Sequence, residues 1–260
     1  MVFLCWNLNN RPLQHLVSAL VRSKRVDILI LLECSIPTGE LLQALAEATN
    51  EHFQYADSPA KQLAMRVFVR FPRRFLIPVE DGPRYSIRRL SLPRRRNCCS
   101  SLFISPVSYF GTTTVRPRSA ASCGHFRTMI VGDLNMNPFE KGVVGAAGLN
   151  ATMVRRRALK ESRTVQQRTY RYFFNPMWRL FGDGEDSAPG TYHYDSHAHV
   201  AYFWNMFDQV LVRPSLESRL SKQSIEIVDT IEGIALLTED GVPNTRVGSD
   251  HLPLIFEMRL

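Results

Sequence analysis

At 260 residues, 45% apolar and 22% charged, the chain can bury a sizeable core, and no apolar run is long enough to cross a bilayer. The net charge of +8 invites a nucleic-acid reading, but nine arginines and no acidic residue lie between Gly82 and Gly132, and the 23 basic and 24 acidic residues outside leave the rest at −1. The opening Met1 to Trp6 lacks a basic flank and a cleavage site, and five cysteines (Cys5, Cys34, Cys98, Cys99, Cys123) suit neither a disulfide framework nor a zinc site, so one cytoplasmic domain over residues 1–260 with reduced thiols is expected.

Residues 2–8 and 26–32 are short apolar runs of the buried-strand type, and between them 12–24 sets Leu13, Leu16, Val17 and Leu20 at helical spacing. That is strand, helix, strand. A second helix is expected over 38–49, with Leu41, Leu42 and Leu45 as its buried stripe and Thr38 as its cap. Residues 66–70, 75–79 and 86–92 look like antiparallel strands, with Glu80-Asp81-Gly82-Pro83 as a turn. Further on, 128–131 reads as a buried strand, 150–160 as a helix and 183–190 as a loop, followed by strands over 198–212, 225–231 and 254–258. Doubly buried strands with helices interspersed argue for a layered α/β or α+β domain.

Polar motifs stand at the exits of these apolar runs. Trp6-Asn7 ends the first, and Glu33 follows the second directly, where a buried scaffold can hold a carboxylate against a hard cation. In Gly132-Asp133-Leu134-Asn135 a base and an amide stand two residues apart, which on extended chain puts both on one side. Asp208 interrupts an apolar run, and a buried Asp needs a partner, for which His251 of Ser249-Asp250-His251 is the natural choice. Alone, each motif has an ordinary structural explanation as a surface acid, a turn or a cap.

In this order the motifs resemble the endonuclease/exonuclease/phosphatase superfamily, from Asn7 to His251. The resemblance implies a four-layered α/β sandwich, two packed mixed sheets flanked by helices, with the active site where strand ends of both sheets meet. It implies Mg²⁺ (or Mn²⁺) on Glu33, with Asp250 as the second acidic residue of the metal site and Asn7 orienting the metal-binding carboxylate. Asp133 then aligns or deprotonates the attacking water, Asn135 holds a phosphoryl oxygen, His251 contacts the scissile phosphate, and Asp208 sets its tautomer. The implied chemistry is in-line attack of water on phosphorus without a covalent enzyme intermediate. Three functions follow: a nuclease, a phosphatase or phospholipase on a small or lipid phosphate, or an impaired family member. Arg84, Arg88 and Arg89 are candidate contacts to a polyanionic nucleic-acid substrate, and Tyr192 and Trp204 candidate stacking surfaces for its bases. Composition says nothing of oligomeric state.

One family element is missing. Between the Glu33 and Asp133 motifs, members usually carry a strand ending in His or Tyr followed shortly by Ser or Asn, whereas residues 97–126 read NCCSSLFISPVSYFGTTTVRPRSAASCGHF. Read one base earlier, Asn97-Cys98-Cys99 forces two leucines, the Phe103/Ile104 junction encodes only His or Tyr, and permitted codons spell LLLVAVHLASKLFWDDDSQAAEC. Arg116 and Arg118 would disappear while one Lys, three Asp and one Glu appear, taking the charge from +8 to about +3. The spacing to Asp133 is also short for the helix expected there. Two readings stand: residues 98–125 are frame-shifted, or they form a divergent loop whose arginines grip a polyanion. The nucleotide sequence across codons 97–126 decides between them, and bases that cannot spell His at the Phe103/Ile104 junction exclude the shift.

Overall fold

The computed structural model describes residues 1–56, 65–82, 85–92, 127–182 and 188–260, together with the backbone of 101–106. Strand β1 (Val2–Asn7), helix α1 (Gln14–Lys24) and strand β2 (Ile28–Leu32) form a crossover unit in which β1 and β2 pair in parallel, Phe3 opposite Ile28 and Asn7 opposite Leu32. Helix α2 (Thr38–Thr49) follows, then β3 (Gln54–Tyr55) and β4 (Met65–Val69). With β12 (Leu220–Ile227) and β13 (Leu254–Met258) they complete a six-stranded mixed sheet in the order β12-β13-β1-β2-β4-β3. The second sheet has seven strands: β5 (Leu76–Asp81), β6 (Tyr85–Leu90), β7 (Ser101–Pro106), β8 (Thr128–Asp133), β11 (Asp208–Val212), β10 (Phe173–Phe174) and β9 (Ala151–Thr152), in that spatial order.

The alternation of side chains along each strand fixes which face meets the other sheet. Met129, Val131, Val210 and Val212 belong to the main core with β1, β2 and β13, whereas Ile130 and Leu211 join a smaller cluster with Ile87, Leu134, Val143 and Phe173. Asp133 and Asp208 therefore share the inward face of Val131 and Val210. The main core is dense: Phe3 and Phe256 face each other across the β1–β13 pair and stack at 4.9 Å, both fully buried. On the first sheet α1 buries Leu16, Val17, Leu20 and Val21, and α2 buries Leu41 and Leu45. On the second, the single helical turn Lys141–Val144 contributes Val143 to the smaller cluster. No helix of the described residues is long and apolar enough to cross a membrane.

Several expected elements differ. Thr38 is the first helical residue and caps nothing; Pro37 holds the cap position and no side chain bonds the first turn. Glu80 and Asp81 belong to β5, which takes up the first two residues of the expected turn, and Gly82 N–H donates to Tyr85 O at 2.9 Å. Residues 150–160 are not a helix. Asn150 takes a left-handed conformation (φ 52°), Ala151–Thr152 pairs in parallel with Phe173–Phe174, and Thr152 Oγ1 accepts from Val154 N–H, leaving only the turn Arg155–Ala158. Pairing at a sheet edge overrides helical periodicity here. Residues 198–212 are likewise not one strand: Trp204–Asn205 and Asp208–Val212 are separate, and Phe203 has φ 57°. Within the window 98–125, Ser101–Pro106 forms β7 between β6 and β8, parallel to β8 with Leu102 opposite Thr128, so the sheet is continuous there; the rest of that window lies outside the described residues.

Phe256→Ala removes a fully buried ring from between the sheets and is expected to cost about 3–5 kcal/mol. Urea denaturation measures it, and a loss below about 1 kcal/mol would mean that the two sheets do not meet there.

Candidate active site

Four strand ends converge at one edge of the seam between the sheets. Asn7 closes β1, and its Oδ1 accepts Asn9 N–H at 3.0 Å. That bond turns the amide so that Nδ2 lies 3.2 Å from Glu33 Oε1 and 3.1 Å from Asp133 Oδ2, one donor group reaching a carboxylate from each sheet. Glu33 leaves β2 in a left-handed conformation (φ 46°), and its carbonyl is held by Asn10 N–H at 2.7 Å. Such a conformation costs a non-glycine residue about 1 kcal/mol and here swings the side chain out of strand alternation.

On the second sheet, Asp133 and Asp208 face each other across the β8–β11 pair. Phe207 and Asp208 N–H both donate to Thr191 Oγ1, at 3.1 and 3.0 Å, which pins the start of β11. Asn135 does not share an extended strand with Asp133 as expected. The strand ends at Asp133, Asn135 bends back (φ 47°), and its N–H donates to Asp133 Oδ1 at 2.8 Å. The Asn135 Nδ2 is buried and finds no partner among the described residues, and the same holds for Asp208 Oδ1.

His251 reaches the site from the segment just before β13, where it makes an isolated antiparallel bridge with Tyr192. Its carbonyl accepts Trp6 Nε1–H at 2.8 Å and its N–H donates to Ser249 Oγ. The ring sets Nδ1 2.7 Å from Asp208 Oδ2 and Nε2 4.0 Å from Asp133 Oδ2, under the Tyr192 ring at 4.6 Å. Asp250 points to the same space, with Oδ1 accepting Ser249 Oγ–H at 3.1 Å. Asn7, Glu33, Asp133, Asn135, Asp250 and His251 line one cavity of about 570 Å³, and Asp208 stands behind His251.

Burial, followed by the charge of Asp208, pushes the Asp133 carboxyl up to about 6, against the pull of His251, the Asn135 N–H and Asn7. For His251 burial acts downward, but it is outweighed by the charge and hydrogen bond of Asp208 and by Asp133 and Asp250, and the imidazole is raised to about 9. Cys5 lies below the cavity, fully buried, and burial together with Asp208 and Asp133 holds its thiol well above its ordinary value, so no thiolate is present at neutral pH.

Among the described residues, no three of His, Cys, Asp and Glu are grouped to cage a metal ion. The donors lining the cavity are nevertheless mainly oxygens, including the Glu33 and Asp250 carboxylates. Mg²⁺ and Mn²⁺ fit such a set, because they are held by one or two carboxylates and take remaining ligands from water and substrate phosphate; the nitrogen and sulfur ligands that zinc favours are lacking but for His251.

The remaining candidates divide. Tyr192 lines the cavity, but its ring already contacts His251 and Phe207. Trp204 does not line it; it packs edge-on to His193 and against the main core. Arg88 is 1% exposed and donates to Ser86 Oγ, and Arg89 is exposed. Through β7, Arg88 aligns with Met129 and Arg89 with Thr128, four and five residues before Asp133, or about 13–17 Å along the strand. Neither arginine is at the cavity, because the register of β6 carries both to the opposite end of the sheet. Arg84 lies outside the described residues. Thr191 and Asn137 carry no signal in the sequence; the Asn137 side chain bonds Asn205 Oδ1 and Met206 N–H at 2.8 and 2.9 Å.

The sequence profile of the Endonuclease/Exonuclease/phosphatase family matches residues 4–251, and the chain belongs to that family. It is therefore a phosphoesterase by family. Solved structures share the fold at low identity. The endonuclease domain of TRAS1, a telomere-specific non-LTR retrotransposon, is 12% identical with a TM-score of 0.54, covering 100% of this chain and 98% of that one. An AP endonuclease from Archaeoglobus fulgidus is 13% identical with a TM-score of 0.54, and the 3′ phosphatase NExo from Neisseria, bound to a product DNA hairpin, is 12% identical with a TM-score of 0.53; each alignment covers 100% of both chains. No curated protein matches the sequence significantly.

Because the folded imidazole has its pKa raised from 6.5 to about 9, the stability it contributes is fully present below pH 6.5 and is lost as pH rises through about 9. In Asp208→Asn the His251 ring is expected to titrate well below the wild-type midpoint. Imidazole NMR follows this directly, and an unchanged midpoint would mean that Asp208 is not its counter-charge.

Proposed function

We propose that this protein is a divalent-metal-dependent phosphodiesterase acting on nucleic acid, with water as the attacking group. The observation that carries the proposal is the convergence of Asp133, Asn135 and His251 with Glu33 and Asp250 on one cavity. Asp133 takes the proton from the water that attacks phosphorus, and its raised pKa suits a base working near neutral pH. The unpartnered Asn135 Nδ2 donates to one phosphoryl oxygen, and the protonated His251 donates from Nε2 to another. Asp208 holds the imidazole by Nδ1 and keeps it charged. Asn7 orients the Glu33 and Asp133 carboxylates together. Glu33, with Asp250 beside it, would hold Mg²⁺ or Mn²⁺, which would supply Lewis-acid stabilisation of the phosphoryl oxygens. The water oxygen forms the new bond to phosphorus as the ester oxygen leaves, and no protein atom is linked to substrate.

The purified protein is assayed on plasmid, single-stranded DNA, RNA and a generic phosphodiester. Hydrolysis is expected with Mg²⁺ or Mn²⁺, to vanish with a chelator, and to fall at least about 100-fold in Glu33→Gln and in His251→Ala. Hydrolysis that survives chelation and both substitutions would overturn the proposal.

A further inference from the structure

The cavity is larger than its catalytic floor requires. A phosphoryl group and one ion would fill a small part of about 570 Å³, a volume in the range of pockets that enclose whole small molecules. The remainder is walled on one side by Tyr194, Val200, Ala201, Tyr202 and Phe203. Of these, Tyr194, Val200, Tyr202 and Phe203 are 48–70% exposed, an apolar surface left open to solvent in the same cavity as the buried Asp133 carboxylate.

That wall is built rather than draped. Its stem is the hairpin Tyr192–His193 with Trp204–Asn205, extended by Tyr194 N–H donating to Phe203 O at 2.9 Å. Below the stem, Asn137 bonds the Asn205 side chain and the Met206 N–H. Gly190 approaches so closely that a Cβ there would fall 2.6 Å from Asn205 O. Tyr202 rests edge-on against Phe139 at 5.1 Å, and Phe203 is held at φ 57°, a conformation that an aromatic residue seldom takes. The aromatic groups are thus positioned before any substrate arrives.

The cavity lining among the described residues includes the carboxylates of Glu33, Asp133 and Asp250 and no lysine or arginine. Additional phosphates would meet no cation inside it, which disfavours a polyphosphorylated small molecule there. A single phosphodiester flanked by a neutral planar ring fits both the floor and the wall. We propose that residues 194–203 form a stacking subsite for an unpaired nucleobase next to the scissile phosphate, making single-stranded or frayed nucleic acid the preferred substrate. The inference rests on the phosphodiesterase reading and adds the part of the substrate recognised. In a duplex, stacking on the neighbouring base pairs already covers the ring faces, so a base must leave the stack to lie on Tyr202 and Phe203.

The test compares a single-stranded oligonucleotide with one of the same length carrying abasic sugars throughout, by kcat/KM with Mg²⁺ and by fluorescence anisotropy in a chelator, where no turnover is needed. The wild type is expected to favour the intact strand by at least about fivefold in both measurements. Tyr202→Ala and Phe203→Ala each bring that ratio towards one, while Tyr202→Phe, which keeps the ring, retains it. Equal treatment of the two strands by the wild type, absence of binding to either, or a ratio unchanged in both alanine variants overturns the subsite. If neither strand is cut, the phosphodiesterase reading fails, and the anisotropy ratio still decides whether residues 194–203 bind a base.

Discussion

Two carboxylates buried side by side in the seam between two sheets set the terms for everything around them. Asp133 and Asp208 are directly opposite across β8 and β11, and both are almost completely withdrawn from water. Two adjacent buried anions are tolerated only when opposite charge and hydrogen-bond donors reach them. Here His251 supplies the charge at 2.7 Å from Asp208, and Asn7 and the Asn135 N–H supply donors to Asp133. Each compensating group comes from a different stretch of chain. The pocket thus exists only when both sheets are in place.

The same arrangement separates two carboxylates into different tasks. Asp208 has one oxygen on the imidazole and stands outside the cavity lining, whereas Asp133 lines the cavity and lies 4.0 Å from the far ring nitrogen. The burial that raises Asp133 towards neutrality also strengthens the field that keeps His251 protonated. Two groups with pKa values on opposite sides of neutral pH follow from one cluster, without any residue of unusual chemistry.

Around this floor, backbone strain does the aiming. Glu33, Asn135 and Phe203 all take left-handed conformations at the cavity rim. In each case the chain has just left, or is about to enter, a strand, and the turn redirects a side chain that strand alternation would send elsewhere. Asn135 illustrates the consequence: the amide is near Asp133 because the chain folds back on the carboxylate, not because two residues share the face of a strand.

The amino-acid sequence by itself determined the strands of the two sheets' centres and the order of the polar residues at their ends, because a continuous apolar run such as 28–32 can only be buried and the residue after it must emerge. It also made the partnership of Asp208 with His251 legible, since a charge inside an apolar run demands compensation. Register, edge pairing and loop geometry were decided by tertiary structure alone. Nothing local in Arg88 and Arg89 says that β6 carries them away from the cavity, and nothing in 150–160 says that Ala151 will pair with Phe173 rather than begin a helix. The aromatic wall shows the same division: the rings of 192–204 are plain in the sequence, but which of them stay open to a ligand and which are spent on His251, Phe207 and His193 depends on contacts between segments distant along the chain or across a hairpin. Local pattern encodes burial, whereas the position of a side chain relative to another strand is a property of packing.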